Sequence, residues 1–533
     1  MPPCAAKQVL RDICGSEPEG AFRMKKYTRE MVRRRKRRID YRLRERSWKR
    51  QAKPMISASN IQYEMGDRLR GTATGGIGAI HLLARWSGLI DAIDQNVEVL
   101  KRHLPYHESD HVLNIAYNAL SGGTCLEDIE LRRQDEVYLD SLGAQRIPDP
   151  TTAGDFCRRF EAGDNEQLLA AINETRLRVW KQQPDEFFAQ AIVDADGTLA
   201  ETSGECKQGM DITYNGAWGY HPLVISLANT QEPLFLENRS GSRPSHEGAA
   251  ARLDQAIALC ARAGFRRMLL RGDTDFSQTR HLDGWTEQGV EFIFGIDAMA
   301  KLVSRAEALD ESRWIRLERP PKYAVATSER TRPENVKEQI VRERGFKNIL
   351  LKGEEIAEFM YRPNACKQDY RIVALRKNLS VARGEQVLFD QIRYFFYITN
   401  RMDDAIEIVL LANQRCNQEN LIEQLKNGVQ AMRMPVDDQN SNWAYMVMAS
   451  LAWTLKAWFA LVLPEAGRWG EKYANDKEAV LRMEFKTFVN AFIRLPCQVI
   501  RSARQIVFRL MTWNPWFPVF LRGVDVLRQP LRC

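Results

Sequence analysis

The sequence AIVDADGT, residues 191–198, passes from apolar residues directly into two aspartates and a glycine. One interpretation is a buried strand that ends in an ordinary Asp-Gly turn, because both residue types suit turn geometry. The other is a strand whose aspartates reach the rim of a sheet and hold a metal ion there. The segment by itself fits both, so the rest of the chain has to distinguish them.

The residues that follow predict an α/β unit around this segment. Short apolar runs separated by turn residues are typical of adjacent antiparallel strands, and three occur in succession: FFAQAIVDADGT, YHPLVISLANT and PLFLENRSG. The next stretch, SHEGAAARLDQAIALCARAGF, predicts an amphipathic helix with Ser245 as its N-cap and Gly264 at its end. RMLLRGDTDF and VEFIFGIDA return to short apolar strands, and the first of these again ends in acids.

A chain of 533 residues is long enough for two to four domains, and the pattern outside the α/β unit is mainly helical. One block is charged, contains prolines and short strand-like runs, and is interpreted as a β-rich insertion. The C-terminal stretch FVNAFIRLPCQVIRSARQIVFRLMTW alternates Arg with apolar residues at helical spacing. The predicted parts are a basic arm (1–54), a helical domain (55–185), the α/β unit (186–300), the insertion (301–395), a second part of the α/β unit (396–465) and a helical C-terminal region (466–533).

The net charge of +8 is concentrated in one segment of the arm. Residues 23–50 contain 15 Lys and Arg against three acids, which leaves the rest of the chain slightly acidic. Such a run neutralises phosphates well, and we favour nucleic acid as its partner over a solvated tail. No apolar stretch follows the charges as it does in a signal peptide. The densest part of the run is Arg33, Arg34, Arg35, Lys36, Arg37 and Arg38.

Cysteine and histidine spacing argues against a structural metal. The ten cysteines are scattered without a CxxC pair, which favours a reduced cytoplasmic protein without structural zinc. His103, His107 and His111 share a helical spacing, but Pro105 interrupts it. We interpret these histidines as part of a solvated face rather than as metal ligands.

Residues 445–463 are the most apolar window, with a length that could span a bilayer. Lys456 lies in the middle of the window, and no second candidate span accompanies it. A buried core helix is therefore favoured over a membrane helix.

Two further places supply carboxylates. The strand MLLRGDTDF ends in Asp273 and Asp275. The segment NQRCNQENLIEQLKNG predicts a helix in which a glutamate is flanked by two cations on one face, at positions i, i+4, i+7 and i+11: Arg415, Glu419, Ile422 and Lys426. Alone, this helix is better explained as an exposed helix with i,i+4 ion pairs.

Together, two strand-end aspartates and a helix glutamate have a chemical use. Phosphodiester chemistry with two Mg²⁺ ions about 4 Å apart needs hard oxygen ligands from several elements of the fold. Nearby Arg and Lys side chains hold phosphates without competing for the metal.

The order Asp-Gly-Thr, Arg-Gly-Asp-x-x-Phe and Asn-Gln-Arg-x-x-x-Glu-x-x-x-x-x-x-Lys resembles the DDE transposases of bacterial insertion sequences. The similarity is to the branch whose RNase H-like domain is split by a β-rich insertion and whose glutamate lies in a Tyr-x-x-Arg-x-x-x-Glu-x-x-x-x-x-x-Lys signature. It covers roughly residues 60 to 520, including RSGSRPSHEGA and RLPCQVIRSARQIVFRL.

The resemblance assigns roles residue by residue. Its catalytic, metal-binding acids fall on Asp196, Asp273 and Glu419, and its basic positions fall on Arg415 and Lys426, which are expected to bind DNA phosphate together with the arm. The signature tyrosine is absent, because Ala412 occupies its place. Asp194 is the first alternative ligand, since residues two apart in a strand share a face. Asp275 is better explained as a turn or cap residue.

The resemblance implies an α/β fold with an RNase H-like catalytic domain, a helical N-terminal DNA-binding region and a helical C-terminal tail. It implies a transposase that cuts at the terminal inverted repeats of its element and joins the 3′-OH ends to target DNA. Two Mg²⁺ ions, for which Mn²⁺ can substitute, double-stranded DNA, a homodimer and a bacterial cytoplasmic, nucleoid-associated location are expected, without a membrane. The alternatives are an RNase H-like nuclease without strand transfer, an inactive transposase-derived DNA-binding protein and, third, a membrane protein.

Overall fold

A computed structural model describes residues 26–44, 55–56, 58, 61–63, 70–204, 206–319, 336–384, 386–467, 469–502 and 505–531. Its main feature is a nine-stranded mixed sheet with the strand order β10-β11-β12-β13-β9-β8-β2-β6-β7. The strands of this sheet are β2 (Ala191–Gly197), β6 (Leu223–Leu227), β7 (Glu232–Glu237), β8 (Met268–Gly272), β9 (Glu291–Ile296), β10 (Ile315–Arg316), β11 (Lys347–Tyr361), β12 (Tyr370–Arg383) and β13 (Gln386–Thr399).

Strand β2 lies in the interior of the sheet, between β6 and β8. It pairs antiparallel with β6 and parallel with β8, while β8 pairs parallel with β9. Parallel strands end at the same edge of a sheet, so the residues after β2 and β8 lie side by side. The near-continuous apolar character of β8 and β9 fits strands that are buried on both faces.

The segment interpreted as an insertion continues this same sheet. Strand β13 pairs antiparallel with β9, and β11, β12 and β13 extend outward from it as a long meander. β-Branched and aromatic residues dominate these strands, as in the run YFFYIT at the end of β13. Residues 320–335 of the predicted insertion lie outside the described residues.

Helices surround the sheet. Before β2 come α1 (Lys26–Leu43), α2 (Ile77–Trp86), α3 (Leu89–Asn96), α4 (Glu108–Leu120), α5 (Ile129–Arg133), α6 (Glu136–Leu142), α7 (Pro150–Cys157) and α8 (Ala162–Trp180). After it come α9 (Ala249–Ala263), α10 (Leu282–Glu287), α11 (Ala300–Glu307), α12 (Val336–Glu343), α13 (Ala405–Asn413), α14 (Cys416–Glu423), α15 (Gln439–Leu461), α16 (Gly470–Leu481), α17 (Phe485–Phe488) and α18 (Phe517–Leu527). Wider π turns, Gln424–Gly428 and Val489–Ile493, continue α14 and α17.

Helix α15 is the core helix of the protein. It packs against α4, α8, α16 and the edge strand β7. Among the described residues it is the one helix long and apolar enough to cross a membrane, and its apolar window is wholly buried inside the protein. Lys456 is completely buried and donates to the carbonyl of Leu481, and burial lowers its pKa to about 7.

A buried polar network fastens the helical region to the sheet. The guanidinium of Arg176, on α8, lies 3.0 Å from the carboxylate of Glu232, on β7, and also donates to the carbonyl of Pro233. The indoles of Trp180 and Trp458 donate to the same carboxylate at 3.0 and 2.8 Å. A buried carboxylate with this many donors is satisfied only while all of its partners are in place.

Two local predictions are wrong. The helix after β7 begins at Ala249 behind Gly248 rather than at Ser245, because Pro244 to Gly248 form a turn, whereas Gly264 ends the helix at φ +98° as predicted. The C-terminal region is helical only in part, because β14 (Cys497–Ser502) and β15 (Gln505–Leu510) form an antiparallel pair.

The sequence around β14 and β15 explains the difference. Pro496 stops the preceding helix, and pairs of β-branched residues follow it. Strand β14 also pairs with β1 (Gly71–Thr72), a partner more than 400 residues earlier in the sequence, which helical periodicity does not reveal. Three further short strands form a small separate sheet beside β2: β3 (Ala200–Glu201), β4 (Asp211–Ile212) and β5 (Trp218–Tyr220).

Replacing Arg176 with Met is expected to lower the free energy of unfolding by about 3–5 kcal/mol, because it leaves the carboxylate of Glu232 buried without its cation. The measurement is equilibrium denaturation followed by tryptophan fluorescence. Arg178→Met, an exposed position on the same helix, is the matched control and should change stability by less than about 0.5 kcal/mol. Equal effects of the two substitutions would show that the network does not support the fold.

Candidate active site

Asp196 lies inside a strand rather than in a turn. Strand β2 runs through Gly197, with Asp196 opposite Val224 and Gly197 opposite Leu223 on β6. Gly197 is needed because a Cβ at this position would come within 2.8 Å of the Nε2 atom of His221. The Asp-Gly turn interpretation is therefore wrong here, and the strand carries the carboxylate of Asp196 to the edge of the sheet.

Asp273 follows the neighbouring parallel strand β8. Its carboxylate accepts a hydrogen bond of 3.0 Å from the backbone N–H of Asp275 and caps a short 3₁₀ turn, Thr274–Phe276. Asp275 is exposed within that turn. The structure thus brings Asp196 and Asp273 to one edge of the sheet, and it places Asp275 in the turn position expected for it.

One guanidinium connects the two aspartates. Arg415 Nη1 lies 2.8 Å from Asp196 Oδ2, and Arg415 Nη2 lies 3.6 Å from Asp273 Oδ2. Burial raises the pKa of Asp196 to about 6, with Arg415 opposing the shift and Asp273 adding to it. Burial also raises the pKa of Asp273. Two partly buried carboxylates therefore share a single positive charge.

Glu419 lies on α14, a helix that its neighbour Gln418 fixes against the sheet. Gln418, buried on α14, donates to the carbonyl of Val224 at 3.3 Å and accepts from the hydroxyl of Ser226. These bonds fix α14 against β6, and α14 also lies against β2. The side chain of Glu419 is exposed.

The three predicted acids do not form one tight cluster. Among the described residues, ligand atoms of three or more His, Cys, Asp or Glu side chains lie within 4.8 Å of one another only at His103, His107 and Glu108. Asp196 and Asp273 are bridged through Arg415, whereas Glu419 stands apart on the helix surface. Ligands that bind two different ions are not required to lie this close together.

Asp194, the first alternative ligand, has another role. Its carboxylate forms a two-pronged ion pair with Arg271 at 2.7 and 2.8 Å, and both side chains are at most 2% exposed. The oxygens of Asp194 are therefore already occupied inside the sheet. Arg271 also donates to the carbonyl of Leu411 at the end of α13. Sequence reasoning missed Arg271, because nothing in its local pattern marks it as a partner of Asp194.

Lys426 lies in the π turn that continues α14, so the helix face predicted for Arg415, Glu419 and Lys426 is not one regular α-helical stripe. Arg415 precedes the first residue of α14. Lys426 nevertheless reaches the same region, because it lines a cavity of about 580 Å³ together with Gly197. The other lining residues are Thr198, Leu199, Ala200, Glu201, Tyr214, Asn215, Asn427, Gln430, Met432 and Arg433.

The cavity beside the end of β2 is thus lined by two cations, Lys426 and Arg433, by amide side chains and by the aromatic side chain of Tyr214. Tyr214 is 84% exposed, and burial lowers the pKa of Lys426. Sequence reasoning did not find Tyr214 or Arg433, because both lie outside the acidic motifs.

Ala412, at the signature tyrosine position, lies one turn before Arg415. It packs against a small apolar cluster that includes Ile293, Ile408 and Val409. At this position the chain makes an apolar contact rather than a polar one.

The predicted basic arm is a helix over its described residues. Arg35 donates to the backbone carbonyls of Leu510 and Thr512, which attaches α1 to the C-terminal strand pair. Arg33, Arg34, Arg37 and Arg38 are exposed, and Lys36 is half-buried. Residues 1–25 and 45–54 of the arm lie outside the described residues.

Comparison with known proteins places the chain in a family. Residues 53–531 match the family model described as transposase DDE domain group 1. No curated protein sequence matches. Among solved structures, a piggyBac transposase in a synaptic complex with hairpin DNA is 9% identical, covers 78% of this chain and 81% of its own, and has a TM-score of 0.33.

Replacing Asp196 with Asn is expected to stabilise the folded protein at pH 7.5 by about 3 kcal/mol. The folded state raises the pKa of Asp196 from 3.8 to about 6, so it favours the protonated form and loses stability as the pH rises through this interval. The gain from Asn should therefore be largest above pH 6 and disappear below pH 4.

Denaturation midpoints of both proteins between pH 4 and pH 8 measure this difference. Asp185→Asn, at an exposed aspartate, is the control and should show no such pH dependence. A loss of stability on Asp196→Asn at pH 7.5 would contradict the electrostatic description of the site.

Proposed function

The chain belongs to the family of transposases with a DDE domain, and on this premise we propose that it cuts DNA at the terminal inverted repeats of its own insertion sequence and joins the freed 3′-OH ends to target DNA. One observation supports this most strongly. Asp196 and Asp273 end two neighbouring parallel strands and share the cation Arg415. Such a pair fits phosphoryl transfer, in which positioning and charge neutralisation supply most of the catalysis.

The catalytic unit is proposed to be RNase H-like. The support is the strand order β7-β6-β2-β8-β9. In it, β6 is antiparallel to both of its neighbours, β7 and β2, whereas β2, β8 and β9 are parallel. Strands β11 to β13 are then the β-rich insertion that separates Asp273 from Glu419. The helical part before β2 and the basic helix α1 are proposed to bind the ends of the element.

Divalent metal ions are general to the family, and the residues present fit them. Asp196 and Asp273 offer hard carboxylate oxygens, and their combined charge is only half balanced by Arg415. Asp196, Asp273 and Glu419 are proposed to hold two Mg²⁺ ions, for which Mn²⁺ can substitute. When bound, the ions supply activation of the attacking oxygen and stabilisation of the leaving oxygen.

The chain's own cations are proposed to hold the DNA. Arg415 has two guanidinium nitrogens within reach of the carboxylates, and this planar group suits a phosphate equally well. Lys426 and Arg433 line the cavity beside Gly197, where a phosphate backbone can approach Asp196. Double-stranded DNA, a homodimer that joins both ends, and a nucleoid-associated location in a bacterial cytoplasm complete the proposal.

Three substitutions test the proposed metal ligands: Asp196→Asn, Asp273→Asn and Glu419→Gln. Each should reduce Mg²⁺-dependent cleavage and joining of an end substrate by at least about 1,000-fold, because each removes a charged metal ligand. DNA affinity, measured in the same preparations by fluorescence anisotropy, should survive.

The chain offers matched controls for two of these changes. Asp275→Asn lies two residues from Asp273, and Glu423→Gln lies one turn after Glu419 on the same helix. Both controls should cleave and join at wild-type rates. Cleavage by Asp273→Asn would make the site assignment wrong. Cleavage without joining by the wild-type protein would favour a nuclease, and binding without cleavage would favour an inactive transposase-derived protein.

The double substitution Arg33→Gln and Arg34→Gln is expected to weaken DNA binding and to reduce the slope of log K against log salt concentration by about 2, since each phosphate contact contributes about 0.9. The control is Arg482→Gln with Arg528→Gln, which removes two exposed charges far along the sequence. Equal slopes for both double variants would show that α1 has no special part in DNA binding.

A further inference from the structure

A second group of metal-ligand side chains lies in the helical region, apart from the acids at the edge of the sheet. His103 and His107 belong to the loop between α3 and α4, and Glu108 is the first residue of α4. The potential ligand atoms of the three residues all lie within 4.8 Å of one another. The set differs from the one that histidine spacing suggests, because Glu108 takes the third position.

His111 is excluded from the group by its surroundings. Its ring stacks on that of Phe156, with centroids 4.3 Å apart and planes 9° apart. Burial lowers the pKa of His111 to about 4, so the ring is a neutral member of the core.

Glu108 has an oxygen that the protein leaves without a hydrogen bond. The side chain is 1% exposed, and its Oε1 atom accepts from the backbone N–H of Leu100 at 3.1 Å. Its Oε2 atom is buried and accepts no hydrogen bond among the described residues. His103 Nε2 lies 3.0 Å from this atom. A buried carboxylate oxygen needs a cation or a hydrogen-bond donor, and among the described residues the ion pair with the exposed ring of His103 is the partner that Oε2 has.

The two imidazoles lie against each other. The rings of His103 and His107 stack with centroids 4.5 Å apart and planes 20° apart. Both side chains are exposed, and that of His103 is 49% exposed, so each ring can turn about its side-chain bonds without repacking the core. Two adjacent protonated imidazoles repel each other, whereas two neutral ones provide a pair of nitrogen ligands.

We propose that His103, His107 and Glu108 form a binding site for a divalent transition-metal ion of the zinc class. Two imidazole nitrogens and one carboxylate oxygen are a donor set that such ions prefer, and Mg²⁺ and Ca²⁺ prefer oxygen alone. The ion places a permanent positive charge beside the carboxylate of Glu108, whereas His103 is charged only when it is protonated. It also ties the loop after α3 to the first turn of α4, which packs against the core helix α15.

The simpler account is an ion pair between His103 and Glu108 in which His107 takes no part. It satisfies Oε2 whenever Nε2 of His103 carries a proton, which is the case in the charged ring and in one neutral tautomer. It predicts that neither Zn²⁺ nor Co²⁺ binds at these three residues in the wild-type protein. The two accounts therefore differ in a direct measurement.

The test uses the full-length protein without an affinity tag and with Zn²⁺ and Co²⁺ as probes. Zn²⁺ affinity is measured by competition with a chromophoric chelator, and Co²⁺ binding by its visible absorption, which is intense for four-coordinate sites with nitrogen ligands and weak for six-coordinate oxygen sites. We expect one such Co²⁺ site per chain, and a rise in melting temperature when Zn²⁺ is added.

Three substitutions probe the ligands. His103→Ala and His107→Ala should each lower Zn²⁺ affinity by about 100-fold, since even groups that only support metal ligands contribute 10- to 100-fold. Glu108→Gln should lower it as well, while it keeps an acceptor for the N–H of Leu100. Because both histidines are exposed, their removal should leave the core intact, and the melting temperature without metal is measured to check this.

The controls separate this site from the rest of the protein. His281→Ala, at another exposed histidine, and Asp196→Asn, at the acidic site, should both retain the Co²⁺ absorption. Unchanged Zn²⁺ affinity in His103→Ala or His107→Ala, or an absence of the Co²⁺ absorption in the wild-type protein, would overturn the proposal. Neither result bears on DNA cleavage, because the two sites share no residue.

Discussion

The buried ion pair between Asp194 and Arg271 is the interaction on which the site depends. The two residues lie opposite each other in the parallel pair of β2 and β8, so the pair holds these strands in one register. Arg271 also donates to the carbonyl of Leu411, which fixes the end of α13 against the same strands. The guanidinium of Arg271 therefore helps to position three residues of the site. Asp196 lies two residues after Asp194 on β2, Asp273 lies two residues after Arg271, and Arg415 follows α13. Loss of this cation would leave a buried carboxylate unpaired and remove the bond from Arg271 to the end of α13.

The second constraint is electrostatic. Asp196 and Asp273 are drawn out of water at the sheet edge, and Arg415 supplies one positive charge for two carboxylates. The pKa of Asp196 accordingly rises to about 6, which means that its charged form is held at a cost to stability. Sites that bind cations commonly carry such a cost, because the same unbalanced charge attracts the ion.

Much of the fold could be predicted from local pattern. Strands β2, β6, β7, β8 and β9 and helix α9 were visible as apolar runs between turn residues, and α15 as an apolar helix with one lysine. The pairing of β14 with β1 could not be predicted, because it joins segments more than 400 residues apart. In addition, the alternation of Arg with apolar residues in β14 and β15 fits a helix and a strand equally well. The continuation of the sheet through β13 was also hidden, because its partner β9 precedes a long charged segment.

In the candidate site, the limit of sequence reasoning is shown by Asp194 and Asp196. Both end a buried strand, and period-two alternation puts them on one face, so local pattern treats them alike. What separates them is a partner from elsewhere in the chain: Arg271 lies opposite Asp194, while Asp196 lies beyond the paired part of β8 and meets Arg415 instead. Two acids that look alike in the sequence thus pair with different cations from distant segments: Asp194 with Arg271, and Asp196 with Arg415. The pair of Asp194 with Arg271 has two short bonds and is buried, so it serves to hold the strands together. Asp196 has one bond to Arg415 and is partly exposed, so Arg415 does not use its second carboxylate oxygen.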